Sequence, residues 1–469
     1  MTANYNHIHF VGIGGTGMSG IATILLNLGY KVSGSDLKYS ETLARLENMG
    51  AEVFIGHDES NITGSDLVVI SSAIPKTNPE YMGAIKNSIP VMHRADVLSL
   101  LMLPKKGIAI TGAHGKTTTT SMLSLIMEKN GYNPTVVIGG ELNDIGGNAT
   151  LGKGEYMVAE ADESDGSFLK LKPYIAVITN IENDHMDYYK NMDRMTKAFK
   201  KFLLNIKDGG FSVLGTDNQN VRKIAEGITS NYFSYGIKYP ADYMPQNIQI
   251  KGMETNFDLF FKGDFLVNVE LHVPGMHNIY NATAALAVAN GIGINMKDAA
   301  DALSCFSGAK RRFQVIGDIS GTKIIDDYAH HPTEIMAALN AARSCSPTKI
   351  YAIFQPHRYT RTKFLAKEFS EAFEDADEVI ITSIYDAGEK AIPGVSAELI
   401  YNLLKFKGKK AIYIEDKKDI VDYLIKKLAP GDLAMTIGAG DICDVAYKIV
   451  ENLRQIYEGG GVRNIPEVN

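Results

Sequence analysis

Short runs of β-branched and aliphatic residues alternate with stretches whose apolar positions recur every three or four residues. That alternation predicts parallel strands covered by helices. Ile8-His9-Phe10-Val11 reads as a first strand and runs into a glycine turn. Met18, Ile21, Ala22, Leu25 and Leu28 then keep helical spacing, Lys31-Val32-Ser33-Gly34 reads as a second strand, and Leu67 to Ile70 as a later one. The pattern decays near Leu103-Pro104-Lys105-Lys106-Gly107, which predicts a linker.

A second series starts at Ile108 to Thr111 and includes the strands Tyr156 to Ala159 and Ile175 to Thr179. From Tyr232 to Pro274 the pattern changes: Phe257 to Phe261 and Phe265 to Val273 flank Lys262-Gly263-Asp264 and predict an inserted β-hairpin. A helix follows around Ala282 to Ala289. A third series opens near Arg311-Arg312, with strands at Lys323 to Ile325, Ile350 to Phe354, Val379 to Thr382 and Leu433 to Ile437. The tail from Gly459 onward is expected to be loose. The fold class is therefore α/β, in three domains. A Rossmann-like domain spans residues 1–104, a central P-loop α/β domain with a small β insertion spans 105–309, and a Rossmann-like α/β domain spans 310–469.

Composition sharpens this in few respects. The chain has 469 residues, 45% hydrophobic and 22% charged, which is enough apolar material for substantial cores. A net charge of −7 argues against a protein built to coat nucleic acid. No apolar run approaches the ~18 residues of a membrane span, and the polar start Met1 to His7 reads as no signal peptide. Cys305, Cys345 and Cys443 lack metal-ligand spacing and are expected as buried small hydrophobes in a reducing, cytoplasmic setting.

Two glycine loops carry the candidate chemistry. Gly12-Ile13-Gly14-Gly15-Thr16-Gly17 fits G-x-G-x-x-G between a strand and a helix, where the backbone can approach a pyrophosphate at the helix N-terminus. Asp36, 24 residues beyond Gly12, can accept ribose hydroxyls. The ligand at this loop can be NAD or a UDP-linked compound, since both offer a pyrophosphate and a ribose. Gly112-Ala113-His114-Gly115-Lys116-Thr117 is the second loop, two residues shorter than G-x-x-x-x-G-K-[ST]. Its amides form an anion nest, its lysine adds a positive charge and its threonine hydroxyl suits Mg²⁺, so it is expected to bind ATP. Two further strands end in candidate metal ligands: Glu160, followed by Asp162, Glu163 and Asp165, and Asn180, followed by Asp184 and His185. Carboxyl ends of strands in an open sheet share one crevice, so Glu160 and His185 are expected near Thr117 around Mg²⁺.

Ser71-Ser72-Ala73-Ile74-Pro75, His114-Gly115-Lys116-Thr117-Thr118-Thr119-Thr120, Glu160-Ala161-Asp162-Glu163-Ser164-Asp165, His277-Asn278-Ile279-Tyr280-Asn281-Ala282, Arg311-Arg312-Phe313 and Asp326 to Glu334 lie in order behind the first glycine loop. Together they resemble the Mur ligases over essentially the whole chain, and in particular the branch that joins L-alanine to UDP-N-acetylmuramate. Ala113 departs from the family, which usually has threonine there; a position supplying mainly its amide should tolerate the change. The resemblance implies ATP and Mg²⁺ as cofactors and UDP-N-acetylmuramate and L-alanine as small-molecule partners. It also implies no nucleic acid or membrane, and a monomer or weak homodimer.

By the same resemblance Gly112, Ala113, His114, Gly115, Lys116, Thr117 and Thr118 would bind ATP with His277, Asn281, Arg312 and Asp327. Lys116, Glu160 and His185 would be catalytic, and Thr117, Glu160 and His185 would hold magnesium. Gly12, Gly14, Gly15, Thr16, Gly17, Asp36, His57 and Ser71 would face the UDP-sugar. Tyr328, His330, His357, Arg358 and Arg361 would face substrates from the third domain. A sister ligase that attaches a recycled tripeptide is the nearest alternative, but its N-terminal glycine loop departs from the pattern here. An NAD-dependent dehydrogenase would leave Lys116 and Glu160 idle.

Overall fold

The computed structural model describes residues 5–142 and 147–458, and the tail expected to be loose lies outside them. Three sheets form. The first takes β1 (His7–Val11), β2 (Lys31–Asp36), β3 (Glu52–Ile55), β4 (Leu67–Ile70) and β5 (Val91–His93), all parallel, in the order β3-β2-β1-β4-β5. The order reverses between β1 and β4, and such a switch point opens a crevice at the carboxyl ends. The second strand runs two residues further than the hydrophobic pattern suggests, so Asp36 is its last residue.

The central sheet has ten strands: β6 (Lys106–Thr111), β7 (Thr135–Leu142), β8 (Gly147–Thr150), β9 (Tyr156–Glu160), β10 (Ile175–Ile178), β11 (Phe211–Gly215), β12 (Tyr232–Tyr235), β13 (Tyr243–Lys251), β14 (Glu254–Phe261) and β15 (Asp264–Leu271). Their order is β15-β14-β13-β12-β11-β10-β6-β9-β7-β8. The expected hairpin is β14–β15, turning at Lys262 (φ 52°) and Gly263 (φ 94°), a pair of positive φ values typical of two-residue hairpin turns. It prolongs the main sheet and does not stand apart from it. The expected linker shrinks to Leu103, Pro104 and Lys105, because Lys106 and Gly107 already pair with Tyr156 and Met157.

The third sheet joins β16 (Gln314–Ile319), β17 (Thr322–Asp327), β18 (Ile350–Phe354), β19 (Glu378–Ile381), β20 (Ala411–Tyr413) and β21 (Leu433–Ile437) in the order β16-β17-β21-β18-β19-β20. Only β16 is antiparallel, pairing with β17.

The described residues fall into two compact units. One comprises Met1–Ile248, Asn256–Leu271 and Asn278–Ala309; the other comprises Gln249–Thr255, His272–His277 and Lys310–Asn469. Within the first unit the helix Thr16–Asn27 is buried nearly all round, from Met18 to Leu25. It covers the first sheet with one face and touches β7 and β8 with another. Gly20 permits that approach: a Cβ there would stand 3.3 Å from Val137 Cγ1. Asn148 completes the joint, donating to the Thr16 carbonyl (2.6 Å) and the Ser19 hydroxyl (2.8 Å).

One expectation fails. Cys305 is exposed, and Cys345 and Cys443 are only partly buried. Cys305 is the C-cap of the helix Met296–Ser304, a position at the helix's end and not on its packed face. Among the described residues no helix is long and apolar enough to cross a membrane.

Candidate active site

The first glycine loop leaves β1 through Gly12 (φ 78°), whose N–H, like that of Ile13, donates to the Ser35 carbonyl on β2. Gly14 donates to Asp36 Oδ2 at 2.9 Å, and Leu37 donates to Asp36 Oδ1. The carboxylate expected at the ribose thus also holds the loop. Gly15 is the N-cap of the next helix and lends no side chain to its amides, the arrangement an anion needs. A Cβ on Gly17 would stand 2.7 Å from a guanidinium nitrogen of Arg94, so this cation lies beside the loop. Ser71 directly follows β4, and His57 follows β3 with its Nδ1 turned inward to Ser35 (2.9 Å) and Glu80 (3.1 Å).

The second loop is closely packed. Gly112 (φ 135°) and Gly115 (φ 82°) take conformations L side chains avoid, and a Cβ would meet Thr179 Oγ1 at 2.2 Å and Asn281 Oδ1 at 2.4 Å respectively. Asn180 accepts from the His114 amide and donates to its carbonyl, while Thr179 donates to the same carbonyl. Asn281 also accepts from Thr119, so the structure brings that expected ATP ligand to this loop. Lys116, the first residue of the helix Lys116–Lys129, donates to the Gly112 carbonyl (2.6 Å) and to Glu163 Oε1 (2.7 Å). Burial alone would lower the Lys116 pKa, but Glu163, Asp162 and Glu160 outweigh it and raise it, so the ammonium stays charged.

Glu160 ends β9 and Thr117 sits in the first helical turn, both against the glycine pair of β7. A Cβ on Gly139 would stand 2.5 Å from Glu160 Oε2, and one on Gly140 would stand 2.9 Å from Thr117 Cγ2. The bare glycines make room for the Glu160 carboxylate, a hard-oxygen donor that suits Mg²⁺, while the Thr117 methyl and not its hydroxyl is what lies against Gly140. His185, in a left-handed conformation (φ 56°), places Nε2 3.8 Å from Glu163 Oε1.

Glu163 is the residue sequence reasoning undervalued. It is 1% exposed and touches Lys116 while facing His185. Its signal in the chain is its place in an acidic run, Glu160 to Asp165, that also belongs to the motifs shared with the Mur ligases. Asp162 in the same run bonds Arg94 at 2.6 Å. Burial works against ionisation there, but Arg94 and Lys116 hold the Asp162 carboxyl down at about 2.

The second unit gathers a separate group. Asp327, at the end of β17, accepts from the Phe313 and Ala329 amides at 2.7 Å each. Burial still pushes its pKa up to about 6, against the pull of Arg312 and those amides. Arg312 lies over the Tyr328 ring and 3.7 Å from Glu334. Burial, helped by Arg312, lowers His277 to about 4, and burial lowers His330 to about 3, so both rings are neutral at pH 7. His357 stacks on Tyr385 with ring planes 11° apart, and an Arg361 nitrogen lies 3.3 Å from its Nδ1. Arg358, at φ 72°, caps the helix Tyr359–Glu371 in a strained conformation. Tyr328, His330, His357 and Arg361 are thus close neighbours, as a shared substrate-facing role requires.

Comparison with known proteins accords with this geometry. The model of the Mur ligase family, catalytic domain, matches residues 7–106, the Mur ligase middle domain matches 110–289, and the Mur ligase, glutamate ligase domain matches 311–440. The UDP-N-acetylmuramate–L-alanine ligase of Pelotomaculum thermopropionicum is 52% identical over 96% of this chain and 98% of its own length. That of Carboxydothermus hydrogenoformans is 49% identical over 94% and 96%. The crystal structure of the UDP-N-acetylmuramate-alanine ligase of Thermotoga maritima superposes with a TM-score of 0.83 at 30% identity, covering 96% of this chain and 99% of that one. The chain belongs to the Mur ligase family.

Proposed function

We propose that the chain ligates L-alanine to the lactyl carboxylate of UDP-N-acetylmuramate, using ATP and giving ADP and phosphate, a step of peptidoglycan synthesis. The observation that carries this reading is the 52% identity, over 96% of the chain, to a ligase of that name. The two glycine loops on separate sheets give it a physical basis, one loop for each nucleotide. The working domain boundaries are 1–104 for the UDP-sugar, 105–309 for ATP and 310–469 for closure over the substrates. A cytoplasmic location is the reading that the nucleotide substrates support.

Amide formation from a free carboxylate needs activation, because hydroxide leaves poorly and the anion repels nucleophiles. Transfer of the γ-phosphoryl group to the carboxylate makes an acyl phosphate; the amine attacks its carbonyl, and phosphate departs with the C–O electron pair. Lys116 and the amides of Gly112 to Thr117 offset the charge gathering between two anionic reactants. Thr117, Glu160 and His185 would hold magnesium, which when bound neutralises charge on the terminal phosphates. Asn281, His277, Arg312 and Asp327 bind the rest of ATP. His277, neutral at pH 7, adds no charge of its own to that site. Gly12, Gly14, Gly15, Thr16, Gly17, Asp36, His57 and Ser71 bind the UDP-sugar, and Tyr328, His330, His357, Arg358 and Arg361 orient the reacting ends.

The path moves one carboxylate oxygen into the released phosphate. UDP-N-acetylmuramate carrying heavy oxygen in that carboxylate should give labelled inorganic phosphate in proportion to product, read by mass spectrometry. Unlabelled phosphate would mean uncoupled hydrolysis, and labelled AMP would move the attack to the α-phosphorus and overturn the reading. Replacing L-alanine by the tripeptide in the same assay separates the sister ligase.

A further inference from the structure

The first domain buries a chain of polar side chains that the reaction as described leaves unused. His7 and His9, two apart on β1 and so on one face of the strand, both contact the Ser33 hydroxyl at 2.8 Å. His9 is fully buried, with Nε2 3.7 Å from Glu80 Oε1. Glu80, in the first turn of the helix Pro79–Lys86, is itself 0% exposed. Its carboxylate accepts from Asn61 Nδ2 at 2.7 Å on one oxygen, and from Ser35 Oγ at 2.6 Å and His57 Nδ1 at 3.1 Å on the other. Burial pushes this carboxyl up, yet His9, Ser35 and Asn61 outweigh it and hold it below its usual range.

Burying a carboxylate with a full set of donors is a poor way to gain stability, since an apolar side chain of similar volume commonly does as well. What the arrangement does supply is direction. The Ser35 hydroxyl proton is spent on Glu80, so Ser35 can only accept from His57, and Glu80 can only accept. Both neighbours of His57 Nδ1 are therefore acceptors, which puts the ring proton on Nδ1. Among the described residues the hydrogen bonds of the His57 ring run through that atom, and the ring keeps 15% of its surface exposed at the carboxyl edge of the first sheet.

We propose that Glu80 is a positioning residue for the UDP-sugar: with Ser35 it locks the His57 ring and its tautomer, leaving Nε2 as an acceptor for a hydroxyl or N–H donor on the nucleoside part of the substrate. The inference rests on the placement of His57 against the UDP-sugar. Buried carboxylates that orient a ligand-facing histidine recur at metal sites for the same reason, since a ring fixed in advance loses less on binding.

A double-mutant cycle on the full-length protein tests it, with the Kd for UDP-N-acetylmuramate measured by calorimetry at pH 7 and the Kd for ATP as a control. His57→Ala should weaken UDP-sugar binding about tenfold and Glu80→Gln severalfold. The double variant should bind no worse than His57→Ala, with ATP affinity unchanged throughout. If His57→Ala weakens binding and Glu80→Gln does not, or if the two effects multiply, Glu80 does not act through His57 and the inference fails while the placement of His57 stands. If His57→Ala itself leaves the Kd unchanged, the placement fails, and the inference with it. Should Glu80→Gln not fold, Ser35→Ala, which removes the other Nδ1 acceptor, runs through the same cycle with the same outcomes.

Discussion

The loops Gly12–Gly17 and Gly112–Thr117 share a strand–glycine–helix plan and differ in what surrounds it. In the first, the fixed partner is an anion, Asp36, bonded to the Gly14 amide, and the helix opens at a bare Gly15. In the second, the fixed partner is a cation, Lys116, charge-balanced by buried Glu163, with positive φ at both glycines and Asn180 and Asn281 packed against them. A carboxylate beside the anion nest suits ribose hydroxyls; an ammonium suits a terminal phosphate. The glycines alone say only that a backbone must come close to something. The charges nearby say what.

That contrast breaks first at Lys116. Lys116→Ala should lower turnover by at least ~10³, about 4 kcal/mol of transition-state stabilisation. Calorimetric titration of the variant with UDP-N-acetylmuramate should look like that of the parent; an equal loss of sugar binding would dissolve the division of labour between the loops.

Gly115→Ala comes next. Its φ of 82° and the 2.4 Å approach to Asn281 leave no room for a methyl group, so the loop must shift, and turnover should fall about a hundredfold. Gly14 has no positive φ, and a Cβ there meets the Asp36 carboxylate at 2.8 Å and Leu43 Cδ2 at 3.4 Å, so Gly14→Ala should cost a few fold in KM for the UDP-sugar. Steady-state kinetics of the pair would show whether the second loop is the stiffer one.

Asp36→Ala should raise KM for UDP-N-acetylmuramate about tenfold, near the 1.5 kcal/mol of a charge-assisted hydrogen bond, with KM for ATP unchanged. A rise in KM for ATP in its place would exchange the two nucleotides.

The smallest effect concerns the bridge between the loops, where Asp162 pairs with Arg94 beside Gly17. Its carboxyl is depressed to about 2 in the folded chain from an ordinary 3.8. The stabilisation is therefore present above the ordinary value and is lost as pH falls from about 4 to 2. Asp162 is 37% exposed, so solvent screening keeps the contribution below about 1 kcal/mol. Denaturant titrations of the parent and Asp162→Asn should converge over that interval; a constant difference would mean that the pair does not titrate with the fold.

Local sequence determined a great deal here, because its signals are short-range. Alternating strands and helices, both glycine loops, the lysine and Glu160 at a strand end all follow from neighbours within a few residues, and so does the β14–β15 turn at Lys262-Gly263. The tertiary structure decided what no local pattern encodes. It joined Glu163 to Lys116 across 47 residues, Asn281 to Thr119 across 162 and Glu80 to His57 across 23. It also turned Asp36 back onto Gly14 and left Cys305 at the open end of a helix. Period and glycine spacing are properties of one segment of backbone, whereas the partner of a buried charge is whichever donor the packing of separate segments delivers to it.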